Sequence, residues 1–271
     1  MPDLWGRVER PDAEVWFLDR AEDAPPVVLL HGLAGYAREW SATMDALSPE
    51  WSAVAVEQRG HGSSTRCPTD VSRDAYVDDV LAVLDDLGRD DVALVGQSMG
   101  GHTAMLVAAR APERVSSLVL VEAGLGGDDP AATRAIGEWL SSWPVPFADH
   151  REFVRFFGGS EHTAAVWAAG LEEREDGLRP TWDAATLTRA LAGVHAREHL
   201  EEWGEVTAPT LMVLGQHSSV PRRQVESMCA LRPDTQVVTV AGAGHDVHLD
   251  APGTWVDLLT HFLRDPQKSL G

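Results

Sequence analysis

Val92-Ala93-Leu94-Val95 runs directly into Gly96-Gln97-Ser98-Met99-Gly100, so a β-forming apolar segment ends in the pattern Gly-x-Ser-x-Gly. The following residues, His102 to Arg110, have the composition of a helix that Pro112 ends. A serine flanked by glycines between a strand and a helix marks a sharp corner, because a side chain at either glycine would collide with the neighbouring strand or helix. The corner lifts the serine oxygen to the carboxyl edge of a sheet. It also sets free backbone N–H groups and the positive end of a helix dipole beside that oxygen.

Other apolar runs of the same kind extend in both directions from this corner: Val27-Val28-Leu29-Leu30, Ala53-Val54-Ala55-Val56, Leu118-Val119-Leu120-Val121, Leu211-Met212-Val213-Leu214 and Val237-Val238-Thr239-Val240. Continuous apolar runs suit strands buried on both faces of a parallel sheet. Helical patterns at Trp40–Leu47, Ser72–Leu87, Pro221–Leu231 and Pro252–Leu263 alternate with them. Leu4–Glu9 and Glu14–Leu18 read as an edge hairpin. The expected fold class is α/β, a doubly wound, mostly parallel sheet.

The interval between Val121 and Leu211 is too long for one connection. It holds Trp139, Trp143, Phe147, Phe153, Phe156, Phe157, Trp167, Trp182 and Trp203. Helical pieces are expected at Pro130–Leu140, Arg151–Phe157, Glu161–Glu173 and Asp183–Leu191. The segment reads as a helical cap over the carboxyl edge, giving a core of residues 1–124 and 204–271 and a cap of 125–203.

Composition narrows the partners. With 42 Asp and Glu against 22 Lys and Arg, the net charge of −20 disfavours nucleic acid. Met1-Pro2-Asp3-Leu4-Trp5-Gly6-Arg7 lacks the pattern of a secretory signal, and no apolar run approaches a bilayer span. Cys67 and Cys229 show no metal-ligand spacing and read as free thiols. The expectation is a cytoplasmic monomer or homodimer, without metal or organic cofactor, acting on a small molecule.

Serine needs a base to become a nucleophile at neutral pH. His245, in Ala241-Gly242-Ala243-Gly244-His245, follows the last strand-like run and lies at the same sheet edge as Ser98. His248 and Asp250 read as structural. The turn His31-Gly32-Leu33-Ala34-Gly35 and the residue after the serine supply two candidate oxyanion donors, the N–H groups of Leu33 and Met99. Glu57 and Arg59 read as braces of the loop after the second buried strand.

His-Gly-x-x-Gly, then Glu57-Gln58-Arg59-Gly60-His61-Gly62-Ser63, then the Ser98 corner, then Gly-x-Gly-His, resemble the α/β-hydrolase superfamily from about Val27 to Leu263. Many relatives carry an aspartate after the strand that here is Leu211–Leu214. In Gly215-Gln216-His217-Ser218-Ser219-Val220-Pro221 no carboxylate is present.

Glu122, at the end of the strand beside the one bearing Ser98, is the alternative. The resemblance extends here to branches such as haloalkane dehalogenases and zearalenone-type lactonases, which take their acid from this position. Asp128 and Asp129 are the fallback. A dehalogenase is disfavoured because its nucleophile is a carboxylate.

The expected chemistry is ester or lactone hydrolysis by a Ser98, Glu122, His245 triad, under a cap that favours small or medium apolar substrates. Gly32, Trp139, Trp143 and Trp167 are expected to contact substrate. Carbon–carbon bond hydrolysis, cofactor-free oxygenase or perhydrolase chemistry, and a non-catalytic ligand-binding role are the alternatives.

Overall fold

The structure is a computed structural model that describes residues 4–127 and 129–268. Its strands are β1 (Leu4–Arg10), β2 (Ala13–Asp19), β3 (Pro26–Leu30), β4 (Ser52–Glu57), β5 (Val92–Gln97), β6 (Val115–Val121), β7 (Glu172–Arg174), β8 (Gly177–Arg179), β9 (Thr210–Gly215) and β10 (Gln236–Val240). The helices are α1 (Ser41–Leu47), α2 (Arg73–Leu87), α3 (Met99–Arg110), α4 (Pro130–Ser141), α5 (His150–Phe157), α6 (Glu161–Ala169), α7 (Ala184–Val194), α8 (Leu200–Glu205), α9 (Arg222–Leu231), α10 (Val247–Asp250) and α11 (Pro252–Arg264). Eight strands form one sheet in the order β1-β2-β4-β3-β5-β6-β9-β10. β1 and β2 pair antiparallel as the edge hairpin, β2 joins β4 antiparallel, and every pairing from β4 to β10 is parallel.

Strand alternation explains why the runs are apolar throughout. Val28 and Leu30 of β3, with Val54 and Val56 of β4, face α2 and α3. Their neighbours Val27, Leu29, Ala53 and Ala55 face Trp40, Met44, Trp255 and Phe262 on the other side. Period-two side chains with helices on both faces leave no position for a polar residue.

Between β3 and β5 the direction of winding reverses, since β4 lies on one side of β3 and β5, β6 and β9 on the other. A crevice opens at the carboxyl edge at such a reversal. The loop after β3 and the corner after β5 are therefore neighbours. A Cβ added at Gly32 would stand 3.3 Å from the Ser98 Cβ.

The four principal cap helices open with side-chain caps: Asp129, Asp149, Ser160 and Asp183 each accept a backbone N–H of the first turn. Trp143, Phe147, Phe153, Leu178 and Trp182 form the cap's own core. Two local expectations differ from the structure. The helix expected over Glu161–Glu173 stops at Ala169, and Glu172–Arg174 pairs instead with Gly177–Arg179. Gly177, at φ +127°, makes this reversal possible, and Leu178 exchanges two backbone hydrogen bonds with Phe147. The other is α8, whose Trp203 packs in the core cluster with α3 and donates its indole N–H to the Met228 carbonyl, so this end of the 125–203 stretch lies against the sheet's helical layer.

Candidate active site

Ser98 sits at φ 51°, ψ −119°, a conformation that L-residues rarely adopt. The glycines around it are explained by contact distances. A Cβ at Gly96 would fall 2.4 Å from the Gly100 carbonyl oxygen, and one at Gly100 would fall 2.4 Å from the carbonyl oxygens of Leu30 and His31. The Ser98 N–H donates to Val121 O at 2.8 Å, which fixes the corner to β6. Met99 opens α3, so its N–H has no acceptor within the helix.

The loop after β3 is held by two neutral histidines. His61 Nε2 accepts the Ala34 N–H and His31 Nε2 accepts the Gln58 N–H, so each ring carries its proton on Nδ1 and donates it to a backbone carbonyl, of Arg59 and Gly32 respectively. Burial pushes both below the usual histidine range, His61 to about 4. Glu57 accepts N–H bonds from Ser63 and Ala37, and the Arg59 guanidinium meets Asp79 and Asp12. Both therefore brace loops, as their positions suggested.

Glu122 also has positive φ, 49°, and its side chain is fully buried. Its Oε1 accepts the Gly215 N–H at 2.7 Å, while Oε2 accepts the Ser219 N–H at 2.9 Å and the Ser219 hydroxyl at 3.2 Å. The same Oε2 lies 3.3 Å from His245 Nδ1. Burial pushes its carboxyl up, but the His245 bond and the N–H groups of Gly215 and Ser219 outweigh it, and the net shift is down. Burial likewise pushes His245 down, yet the hydrogen bond to Glu122 and the negative charges of Asp246, Glu122 and Asp250 raise it overall. Both shifts favour the carboxylate–imidazolium pair.

Of the two fallback acids, Asp129 caps α4 and its own N–H donates to Gly127 O and His195 O, placing it in the cap. Asp128 lies outside the described residues.

A cavity of about 290 Å³ joins these parts. Ser98, His245, Gly32 and Leu33 line its floor, while Ile136, Trp139, Phe157 and Trp167 come from the cap. Trp143 does not line it. Its ring is enclosed by Phe153 at 5.3 Å and Trp182 at 4.9 Å, and it is only 5% exposed, so the expectation of a substrate contact is corrected to a place in the cap core. Ser98 and His245 share the cavity without a hydrogen bond between them; such bonds are often long before substrate binds.

Sequence reading missed three residues here. Ser219 bridges Glu122 and His245, its Oγ lying 3.2 Å from Glu122 Oε2 and 3.0 Å from His245 Nδ1. Gln97 donates to the His245 carbonyl at 3.0 Å and to Asp246, and Asp246 also accepts the Trp167 indole N–H at 3.0 Å. Gln97 was legible as the side chain inside the corner motif, and Asp246 as a carboxylate next to the base. Ser219 had no such signal beyond standing where a carboxylate was sought. His248 and Asp250 are structural: His248 is buried, stacked on Trp40 and 3.3 Å from Glu39, and Asp250 accepts the Gly244 N–H and the Thr163 hydroxyl.

A family model described as the alpha/beta hydrolase fold matches residues 25–157. The mouse sn-1-specific diacylglycerol lipase ABHD11 is 31% identical over 260 residues, covering 91% of this chain and 83% of that protein. The chain belongs to the α/β-hydrolase family. Another relative of this α/β-hydrolase is the 2-(acetamidomethylene)succinate hydrolase of Mesorhizobium japonicum, 27% identical over 246 residues and 88% of each chain. The crystal structure of an E-2-(acetamidomethylene)succinate hydrolase matches the fold with a TM-score of 0.88 at 24% identity, covering 97% of this chain and 100% of that one. These two relatives are named a lipase and a hydrolase, and the chain is an enzyme of this family. No helix among the described residues is long and apolar enough to cross a membrane.

Proposed function

We propose that this α/β-hydrolase cleaves a small or medium, largely apolar carboxylic ester or lactone through an acyl-enzyme on Ser98. The observation that carries the reading is the contact of the Glu122 carboxylate with His245 Nδ1 at the edge of an apolar cavity that also contains Ser98. Ser98 Oγ attacks the carbonyl carbon while His245 takes the hydroxyl proton, and the Leu33 and Met99 N–H groups hold the oxyanion. Collapse of the tetrahedral intermediate breaks the carbon–oxygen bond, and the departing oxygen takes the proton from His245. In a lactone that oxygen stays tethered to the acyl chain. Water then gives a proton to His245, attacks the acyl carbon and frees the acid, and the serine regains its proton.

Glu122 holds the tautomer that keeps Nε2 free to accept and stabilises the imidazolium formed in each half-reaction. The mouse relative is named a lipase, in keeping with ester cleavage. The Mesorhizobium relative is named for a succinate, but among the described residues the cavity wall here bears no Lys or Arg, so the substrate is read from the apolar lining. Wild type should react quickly with a fluorophosphonate probe and hydrolyse p-nitrophenyl butyrate, whereas Ser98→Ala should do neither while melting as wild type does. Undiminished turnover by Ser98→Ala would overturn the proposal.

A further inference from the structure

We infer that the cavity accepts neutral acyl groups and rejects acyl groups that carry a carboxylate, an inference that rests on the ester-hydrolase reading and narrows its substrate class. Among the described residues, the formally charged side chains on the cavity wall are Glu39 and Asp246, and His245 is its titratable base. Asp246 is held in place: Oδ1 accepts from Gln97 and Oδ2 accepts the Trp167 indole N–H. Glu39 is engaged as well, accepting the Tyr36 N–H at 3.1 Å and standing 3.3 Å from His248. With both its oxygens turned to protein donors, the Asp246 carboxylate sets the sign of the potential and leaves no vacant fork for an ammonium.

Two further carboxylates stand close behind the wall, Glu122 against His245 and Asp250 against Gly244. Guanidinium groups near this end of the fold face elsewhere. Arg73 is buried behind the first turn of α3, against Thr103 and the Met99 carbonyl, and exposed Arg38 lies over the Trp5 ring. Neither lines the cavity.

A carboxylate entering this space loses its water shell among Ile136, Trp139, Phe157 and Trp167, meets no Lys or Arg among the described residues, finds His245 already paired with Glu122, and lies beside Asp246. Binding a carboxylate in apolar surroundings calls for a paired, hydrogen-bonded cation. The neutral methyl ester of the same chain escapes each of these costs. The overall charge of −20 adds a long-range repulsion of anions that salt weakens.

The test compares two p-nitrophenyl esters of one chain length, the methyl adipate and the hydrogen adipate. Two like charges about 6 Å apart at an effective dielectric of about 20 repel enough to expect a kcat/KM at least about 30-fold lower for the acid. Asp246→Asn should narrow that gap several-fold, mainly by raising the rate on the acid. Equal or faster hydrolysis of the acid overturns the inference. Titrating Ser98→Ala with each intact ester, followed by quenching of tryptophan fluorescence, reads the same preference without turnover. Equal affinities also overturn it, whereas tighter binding of the methyl ester by a protein that resists the fluorophosphonate sustains the charge selection and refutes the ester-hydrolase reading.

Discussion

Replacing Glu122 with Gln keeps the shape of the side chain and removes its charge. In the structure Oε2 lies 3.3 Å from His245 Nδ1. Opposite charges about 4 Å apart attract by about 4 kcal/mol at an effective dielectric of about 20. The His245 side chain is 45% exposed, so solvent screens the pair, and about half of that attraction, ~2 kcal/mol, is the appropriate figure. That alone lowers the rate about 30-fold.

The amide has a second effect. Its NH2 group turned toward Nδ1 favours the tautomer with the proton on Nε2, and loss of the correct tautomer in a serine protease costs about 10⁴-fold. The expected fall in kcat/KM for p-nitrophenyl butyrate is therefore between about 30-fold and about 10⁴-fold. The pH profile carries an independent sign. The base is active when His245 is neutral, and Glu122 raises its pKa above the ordinary value near 6.5, so the acid limb of the wild-type profile should lie above that value. Removing the carboxylate withdraws support from the imidazolium and should move the limb to lower pH. A thermal melt separates lost chemistry from lost fold, since the Gly215 and Ser219 N–H groups also depend on this side chain. Wild-type rate with an unmoved limb would refute the assignment of Glu122 as the orienting acid.

Asp129→Ala should destabilise the cap by about 1 kcal/mol through loss of the α4 cap while leaving kcat/KM intact, as read by melting and ester hydrolysis. Trp143→Ala should cost about 3–5 kcal/mol of stability because it empties the cap core. Trp139→Ala, at a side chain that is 41% exposed and on the cavity wall, should instead raise KM with little change in the melting temperature. Ser219→Ala should lower kcat only several-fold and leave the Glu122–His245 contact in place, measured by the same pH profile.

The parallel strands were legible because burial on both faces demands unbroken apolar runs, and the corner at Ser98 because steric exclusion leaves only glycine at Gly96 and Gly100. Glu122 was singled out by its place at the end of β6 beside β5 together with the resemblance to branches that carry their acid there, with Asp128 and Asp129 left open. The cap was harder. Its aromatic residues obey the same helical spacing whether they fill a core or line a cavity, and only the three-dimensional arrangement assigns Trp143 to one and Trp139 and Trp167 to the other. The β7–β8 hairpin was hidden because Glu172-Glu173-Arg174 has helical composition, and a glycine at positive φ decides against the helix. Ser219 could not be foreseen, since its role depends on a loop geometry that periodicity does not encode.

Glu122 stands directly after β6, a few residues before the polypeptide departs into the cap. Its N–H donates to Val213 O and its carboxylate receives the Gly215 N–H, so both its backbone and its side chain are fastened to β9. The side chain proposed as the orienting acid is thereby positioned by the sheet before the chain enters the cap. The loop bearing His245, by contrast, also meets the cap, through Trp167 on Asp246 and Thr163 on Asp250. Cap side chains on the cavity wall such as Trp139 and Phe157 can therefore be exchanged for another substrate while the fastening of Glu122 to β9 stays unchanged.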